Sequence, residues 1–277
     1  MPDQTLVADH YTHGGLLGAI EAGLATLGKT AASVSLDELA PVDEFHIGGR
    51  AATRSFLDQL DIGAADHVLD VGCGLGGASR FAAHTYGCRV TGVDLTREYV
   101  DTGNVLCAWV GLSRRIALEI GDATALRHPD GTFDRAYMLH VGMNIADKDR
   151  LIAELFRVLR PGAKLGIYDV MRVGDGDLTF PVPWATAPQG SAVAPVAAYK
   201  AALERSGFAI TAERNRRDFA LDFFAQLQAK VTGAEGPPPL GLHLLMGSSA
   251  PTKVKNMIDN ISRQLIAPVE IVAEKPA

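Results

Sequence analysis

The sequence predicts an α/β fold: a doubly wound sheet of seven mostly parallel strands with helices on both faces. Three observations predict it. From about residue 66, apolar runs of strand length alternate with helix-length amphipathic segments. The first of these runs ends in a cluster of glycines, followed by helical spacing. Strand, helix and strand at this interval require crossover connections, and crossovers lay strands parallel. With 277 residues, 47% of them hydrophobic and 21% charged, the chain buries a sizeable core and is not disordered.

The elements follow in order. A helix near Gly14–Leu27 precedes the sheet, and another at Ala51–Leu60 leads into it. His67–Val71 is the first strand. Gly77–Tyr86 is a helix with Ala78, Phe81, Ala82 and Tyr86 on or near one face. Arg89–Val93 is the second strand, and a helix runs from Thr96, a good N-cap, to Val110. Ile116–Ile120, Phe133–Leu139 and Lys164–Val170 are the next strands. The helix Asp147–Leu159 lies between the last two, closed by Arg160-Pro161-Gly162. Residues 173–195, rich in Gly, Pro, Thr and Ser, form a long loop, and such loops in compact domains are often functional. A helix over Pro195–Ser206 stops at Gly207, and a strand follows around Phe208–Arg214. Helical segments at about Asp218–Val231 and Pro251–Leu265 flank a Gly/Pro-rich loop, and Val269–Ala273 is the final strand. This divides the chain into an N-terminal helical lid (1–50), a core (51–217), a helical insertion (218–265) and a final core strand with its tail (266–277).

Composition removes several functions. Twenty-six Lys and Arg face 32 Asp and Glu, a formal charge of -6, so no basic field exists to hold a nucleic acid. Cys73, Cys88 and Cys107 cannot form a disulfide framework or a CxxC zinc pair, and fit a reducing compartment. The first residues carry acids where a signal peptide needs positive charge, and no apolar run is long enough for a bilayer. The expectation is a cytoplasmic monomer or homodimer that binds neither metal nor membrane.

The chemistry concentrates at Val68–Gly77. Glycines at 72, 74 and 76 permit positive φ and let a ligand lie against bare backbone at a helix N-terminus. Gly72, Gly74 and Gly77 also satisfy the dinucleotide fingerprint, so the loop alone does not separate an NAD enzyme from an adenosyl-binding one. Three acids separate them. Asp70 would repel a pyrophosphate but welcome an ammonium group. Asp94, ending the second strand, suits a pair of ribose hydroxyls in either class. Asp122, ending the third, suits an adenine amino group, which the dehydrogenase pattern does not call for.

Asp70-Val-Gly-Cys-Gly-x-Gly, Asp94, Gly-Asp122-Ala and Leu159-Arg-Pro-Gly-Ala-Lys164, in that order, resemble the class I S-adenosylmethionine-dependent methyltransferases over roughly residues 45–172. Glu44-Phe-His-Ile-Gly-Gly-Arg50, the long insertion and the ending Ile266-Ala-Pro-Val-Glu-Ile-Val resemble the small-molecule branch that includes sarcosine/dimethylglycine N-methyltransferases. The resemblance implies a Rossmann-like fold and S-adenosylmethionine as cofactor. It places Gly72, Cys73 and Gly74 along the methionyl part and Asp70 near its amino group. Asp94 falls on the ribose, Leu95 on the adenine face, and Asp122 and Ala123 on the adenine edge. His140, ending the fourth strand, would face the sulfonium and the acceptor, and His46 would contact the cofactor. Tyr11, Asn144 and Trp184 are candidate acceptor contacts, and His13 lies in the same N-terminal stretch as Tyr11. The Asn-Pro-Pro-Tyr tetrapeptide of amino-methylating DNA enzymes is not at 140–148. The implied activity is methyl transfer to a small molecule, with a nitrogen of a glycine-derived amine preferred over an oxygen or carbon. His140, titrating near neutrality, is the expected base where the acceptor sheds a proton. An NAD-dependent oxidoreductase and a non-catalytic adenosyl-binding regulator are the competing functions.

Overall fold

The structure, a computed structural model, describes residues 4–12, 14–231 and 236–277. Seven strands form one sheet: β1 (His67–Val71), β2 (Arg89–Asp94), β3 (Ile116–Ile120), β4 (Phe133–Leu139), β5 (Leu159–Arg172), β6 (Ala209–Asn215) and β7 (Ile266–Glu274). Their order is β3-β2-β1-β4-β5-β7-β6, and β7 alone runs antiparallel to its neighbours. The seven-stranded, mostly parallel doubly wound sheet is therefore as the sequence predicts.

Period-two alternation on the strands feeds two cores. Leu69 and Val71 of β1 face α7 (Lys148–Val158) and α8 (Val196–Ser206), whose Leu151, Ile152, Leu155, Tyr199 and Leu203 are buried against them. Val68 faces the opposite layer, where Phe56 and Leu57 of α4 (Gly49–Leu57) pack with Phe81 and Ala82 of α5 (Gly77–Tyr86) and Val100 of α6 (Arg97–Trp109). Asp70 lies on that face too, so the pleat sends one carboxylate toward α5.

The remaining helices form a cap over the C-terminal ends of the strands. They are α1 (Gln4–Tyr11), α2 (Leu16–Thr26), α3 (Leu36–Asp43), α9 (Arg217–Val231), α10 (His243–Met246) and α11 (Ala250–Ser262). The sequence reading missed α1 and α3. The second is marked by a complete capping box, Ser35 with Glu38, whose apolar face is too short to register as periodicity. No helix among the described residues is long and apolar enough to cross a membrane.

Two local expectations need correction. Arg160-Pro161-Gly162 does not stop a helix: α7 ends at Val158, and these residues already belong to β5. Leu159 pairs with Phe133 and the Gly162 N–H donates to the Lys275 carbonyl at 2.8 Å, so strand pairing takes over at once. Thr96 is the N-cap of α6, but its side chain makes no cap bond; instead Asp94 Oδ1 accepts from the Thr96 N–H at 2.8 Å.

The Gly14–Gly15 turn between α1 and α2 is held from outside. Glu98 on α6 accepts from the Gly14 and Leu16 N–H groups, both at 3.0 Å, and so serves donors at a helix start whose own N-cap, Gly15, has no side chain. Two further bonds hold α1 down: His10 Nε2–H to the Pro183 carbonyl at 3.0 Å, and the Asn144 amide to the Tyr11 hydroxyl at 3.3 Å.

Candidate active site

The sheet order reverses between β1 and β4, and open α/β sheets bind ligands in the crevice such a reversal leaves. A cavity of about 300 Å³ opens there. Its floor is the loop from Gly72 to Leu75; its sides are the ends of β2, β3 and β4; its roof includes Val7 and Tyr11 of α1, with Phe45, His46 and Leu245.

The glycine loop takes left-handed φ at Gly72, Gly74 and Gly76 (67°, 52° and 78°). Gly72 is the most constrained: besides its φ, a Cβ there would overlap the Val141 side chain. The Gly72 and Cys73 N–H groups both donate to the Val93 carbonyl (2.7 and 3.1 Å), which fixes the loop against the end of β2.

Each of the three acids lines the cavity with different hydrogen-bond partners. Asp70 is 2% exposed; its Oδ2 accepts from the Ser79 hydroxyl (2.6 Å) and the Tyr137 hydroxyl (3.0 Å). Burial pushes its pKa up to about 7, against those two bonds, which favour the carboxylate. Asp94 accepts from the Gly74 N–H at 2.9 Å through Oδ2 and from Thr96 through Oδ1, and burial still raises its pKa. Each oxygen keeps a second lone pair, enough for two hydroxyls. Asp122 Oδ1 accepts from the Thr124 N–H and hydroxyl, both at 2.8 Å, which turns the strand end into an Asx turn.

At the end of β4, His140 adopts φ 55°, unusual for a non-glycine residue. Its ring lies 4.9 Å from Tyr168 and 5.9 Å from His46. The Ile47 N–H donates to His140 Nδ1 at 3.4 Å, which puts the ring proton on Nε2, and Nε2, itself buried, has no partner among the described residues. Burial, with His46 beside it, lowers the His140 pKa well below the usual histidine value. Burial thus favours the neutral ring over the charged one, away from the titration near neutrality that the sequence suggests. His46 is held separately: its Nε2 meets the Thr53 hydroxyl at 3.0 Å and the Gly49 carbonyl at 3.2 Å, while that hydroxyl donates to Glu44 at 2.6 Å. Glu44 also pairs with Arg50, so the Glu44–Arg50 motif is one buried network at the cavity edge.

Every cofactor residue expected from the sequence, from Asp70 to His46, borders this cavity, as do Tyr11 and Asn144. Trp184 does not. It is 2% exposed, with Nε1 donating to Ser191 Oγ at 2.9 Å and its ring in an apolar cluster with Ile47, Met143 and Phe224. It anchors the long loop instead of walling the acceptor space. His13 lies outside the described residues. The sequence reading passed over Asp43, Phe45, Tyr99 and Leu245. Phe45 stands inside the quoted Glu44–Arg50 motif, and Tyr99 is one helical turn past Thr96; both signals were available.

The comparisons with known proteins agree with this geometry. Residues 68–162 match the model of a methyltransferase domain. Over that stretch the chain resembles a methyltransferase domain. Over 98 residues, 35% of this chain and 27% of the relative, it is 41% identical to a probable tocopherol O-methyltransferase of Oryza sativa subsp. japonica. Over 125 residues, 45% of this chain and 25% of the relative, it is 37% identical to phosphoethanolamine N-methyltransferase 1 of Triticum aestivum. The fold matches the crystal structure of geranyl diphosphate C-methyltransferase from Streptomyces coelicolor A3(2) with a TM-score of 0.72, at 18% identity, over 99% of this chain and 98% of that one. The chain spans about a quarter of the length of each of these two curated relatives.

Proposed function

We propose that this chain transfers a methyl group from S-adenosylmethionine to a small-molecule acceptor. The observation that carries the reading is the gathering of Asp70, Asp94 and Asp122 around one glycine loop, in one cavity, where the sheet order reverses. In this reading Gly72, Cys73 and Gly74 line the methionyl part and Asp70 faces its ammonium group. Asp94 takes the ribose hydroxyls, Leu95 packs on the adenine, and Asp122 and Ala123 meet its edge. When bound, the cofactor supplies a methyl group already activated by a sulfonium. The chain's own work is to hold the acceptor in line with that group and keep water out. His140, His46, Tyr11 and Asn144 are the residues for it, and residues 1–50 and 218–265 would act as lids.

The acceptor we prefer is the nitrogen of a small amine such as a glycine derivative, whose carboxylate oxygen would accept from His140 Nε2–H. The same N–H supports a second reading, an oxygen or carbon acceptor next to a phenol or enol oxygen. Asp70 and Asp122 count against an NAD-dependent oxidoreductase. S-Adenosylhomocysteine should raise the melting temperature while NAD leaves it unchanged, because ligands stabilise the state they bind. A screen of glycine, sarcosine, dimethylglycine and small phenols with labelled S-adenosylmethionine then reads the acceptor by product mass. Stabilisation by NAD alone would remove the reading.

Asp70 gives a proton-linked test. With a pKa of about 7 it is about half protonated at neutral pH, and an ammonium beside it favours the carboxylate. Binding of S-adenosylhomocysteine near pH 7 should therefore release part of a proton, and affinity should rise as pH rises toward 7. Calorimetry in buffers of different ionisation enthalpy measures this, and Asp70→Asn should abolish it. A buffer-independent enthalpy in the wild type places the ammonium elsewhere.

A further inference from the structure

The turn from His140 to Asp147 carries two of the proposed acceptor contacts, and its regular structure is one short 3-10 turn, Gly142–Asn144. Lys148 gathers two of the turn's carbonyls. Its side chain is buried at 7% exposure, and its Nζ donates to the carbonyls of Gly142 (2.9 Å), Ile145 and Ala192 (3.0 Å). Nζ also lies 5.2 Å from the centre of the Tyr199 ring.

This is a costly place for an ammonium group. Lys148 is the first residue of α7, where the helix dipole repels a cation, and burial further penalises its charge. Three carbonyls and the nearby Asp169 offset that cost. Asp169 is itself fully buried, accepting from the Tyr199 hydroxyl at 2.6 Å and from the Gly142 N–H. Gly142 thus has its N–H on Asp169 and its carbonyl on Lys148, and a Cβ there would overlap Asp169 and Tyr199. The third carbonyl extends the connection: Ala192 belongs to the long 173–195 loop, and its N–H donates to the Met143 carbonyl at 2.7 Å.

We propose that Lys148 is a positioning residue, whose ammonium group draws the 140–147 turn and the 173–195 loop together and so sets the His140 ring and the Asn144 amide toward the acceptor. It touches neither cofactor nor acceptor; it acts through the carbonyls of Gly142, Ile145 and Ala192.

The test replaces Lys148 by Met, which keeps the length and removes the donors, and by Gln, which keeps a neutral donor. Long-range proton–nitrogen spectra read the His140 ring. The wild type should show one tautomer, protonated on Nε2; Lys148→Met should show averaged ring-nitrogen shifts, and Lys148→Gln should lie between. Amide exchange at 142–146 and 192–194 should quicken in Lys148→Met while β1 and β2 stay protected. Affinity for S-adenosylhomocysteine should hold, since the proposed donor contacts lie mainly on other loops. This part stands even if the methyl-transfer reading fails. The kinetic part rests on that reading: kcat should fall about 10-fold or more while KM for the cofactor is kept, because small misplacements of an acceptor are expensive. If Lys148→Met does not fold, Lys148→Gln carries the same measurements. A folded variant with wild-type His140 shifts and wild-type exchange at 142–146 overturns the proposal. So does a loss of cofactor affinity in proportion to turnover.

Discussion

His140→Ala is expected to lower turnover by about 10²–10³-fold, and by the same factor on a secondary and a tertiary amine. The equality is the informative part. A base matters only where the acceptor sheds a proton, so a base at 140 would cost the secondary amine alone. The ring seen here cannot easily act as one: the Ile47 N–H occupies Nδ1, the proton sits on Nε2, and burial keeps the imidazole neutral. In the proposed function the remaining role is an oriented N–H that would hold an acceptor oxygen while the neighbouring atom takes the methyl group. His140→Gln restores a side-chain N–H and should recover part of the rate. Paired rate measurements on sarcosine and dimethylglycine, with products identified by mass, give the result. Loss confined to sarcosine would reinstate the base, and wild-type rates on both would leave His140 as a strand-end residue.

Asp94→Ala should weaken cofactor binding by about 1.5–3 kcal/mol, the range for hydrogen bonds to a charged group. At about 1.4 kcal/mol per factor of ten that is roughly 10- to 150-fold in Kd. Two effects combine. The ribose loses its acceptor, and the Gly74 and Thr96 N–H groups lose the carboxylate that holds the glycine loop to the start of α6. Asp94→Asn separates them, since its amide oxygen can keep one of those N–H bonds while presenting an amine to the ribose. Calorimetry with S-adenosylhomocysteine is the measurement, and unchanged affinity in a folded Asp94→Ala protein would remove the ribose assignment.

The gathering of the proposed donor residues in one cavity was legible in the sequence because their pattern is local. Asp70, Gly72, Gly74, Asp94 and Asp122 each end a strand or begin a turn, and strand ends are marked by the switch from apolar runs to glycine and acid. Their convergence follows from parallel topology alone. The acceptor half was read less well, because its chemistry lies in contacts between distant segments. Trp184 looked like a wall of the cavity; its indole is spent on Ser191, which no local pattern announces. Nor could any spacing show that Ile47 would meet His140 across 93 residues and so choose its tautomer. Lys148 reads as an ordinary charged residue at the start of a helix, and only the folded chain shows it buried under three carbonyls. In the same way no local pattern shows that Arg214 and Arg216 both pair with Glu270, which is 1% exposed.

The uneven way α1 is fastened bears on how the product leaves. Glu98 holds the chain just beyond Tyr11 with two charge-assisted bonds, so that end acts as a fixed pivot. Among the described residues, further fastenings are His10 to Pro183 and Tyr11 to Asn144, neutral contacts worth about 0.5–1.5 kcal/mol each. Breaking both costs about 1–3 kcal/mol, before the apolar contacts of α1 are counted, so an open form held shut by these bonds alone would make up roughly 0.6–16% of molecules. If the proposed function holds, exit would have a preferred direction: α1 would swing away from Pro183 and Asn144 about Gly14 and Gly15, and a spent cofactor would depart on that side of the cavity without disturbing the sheet.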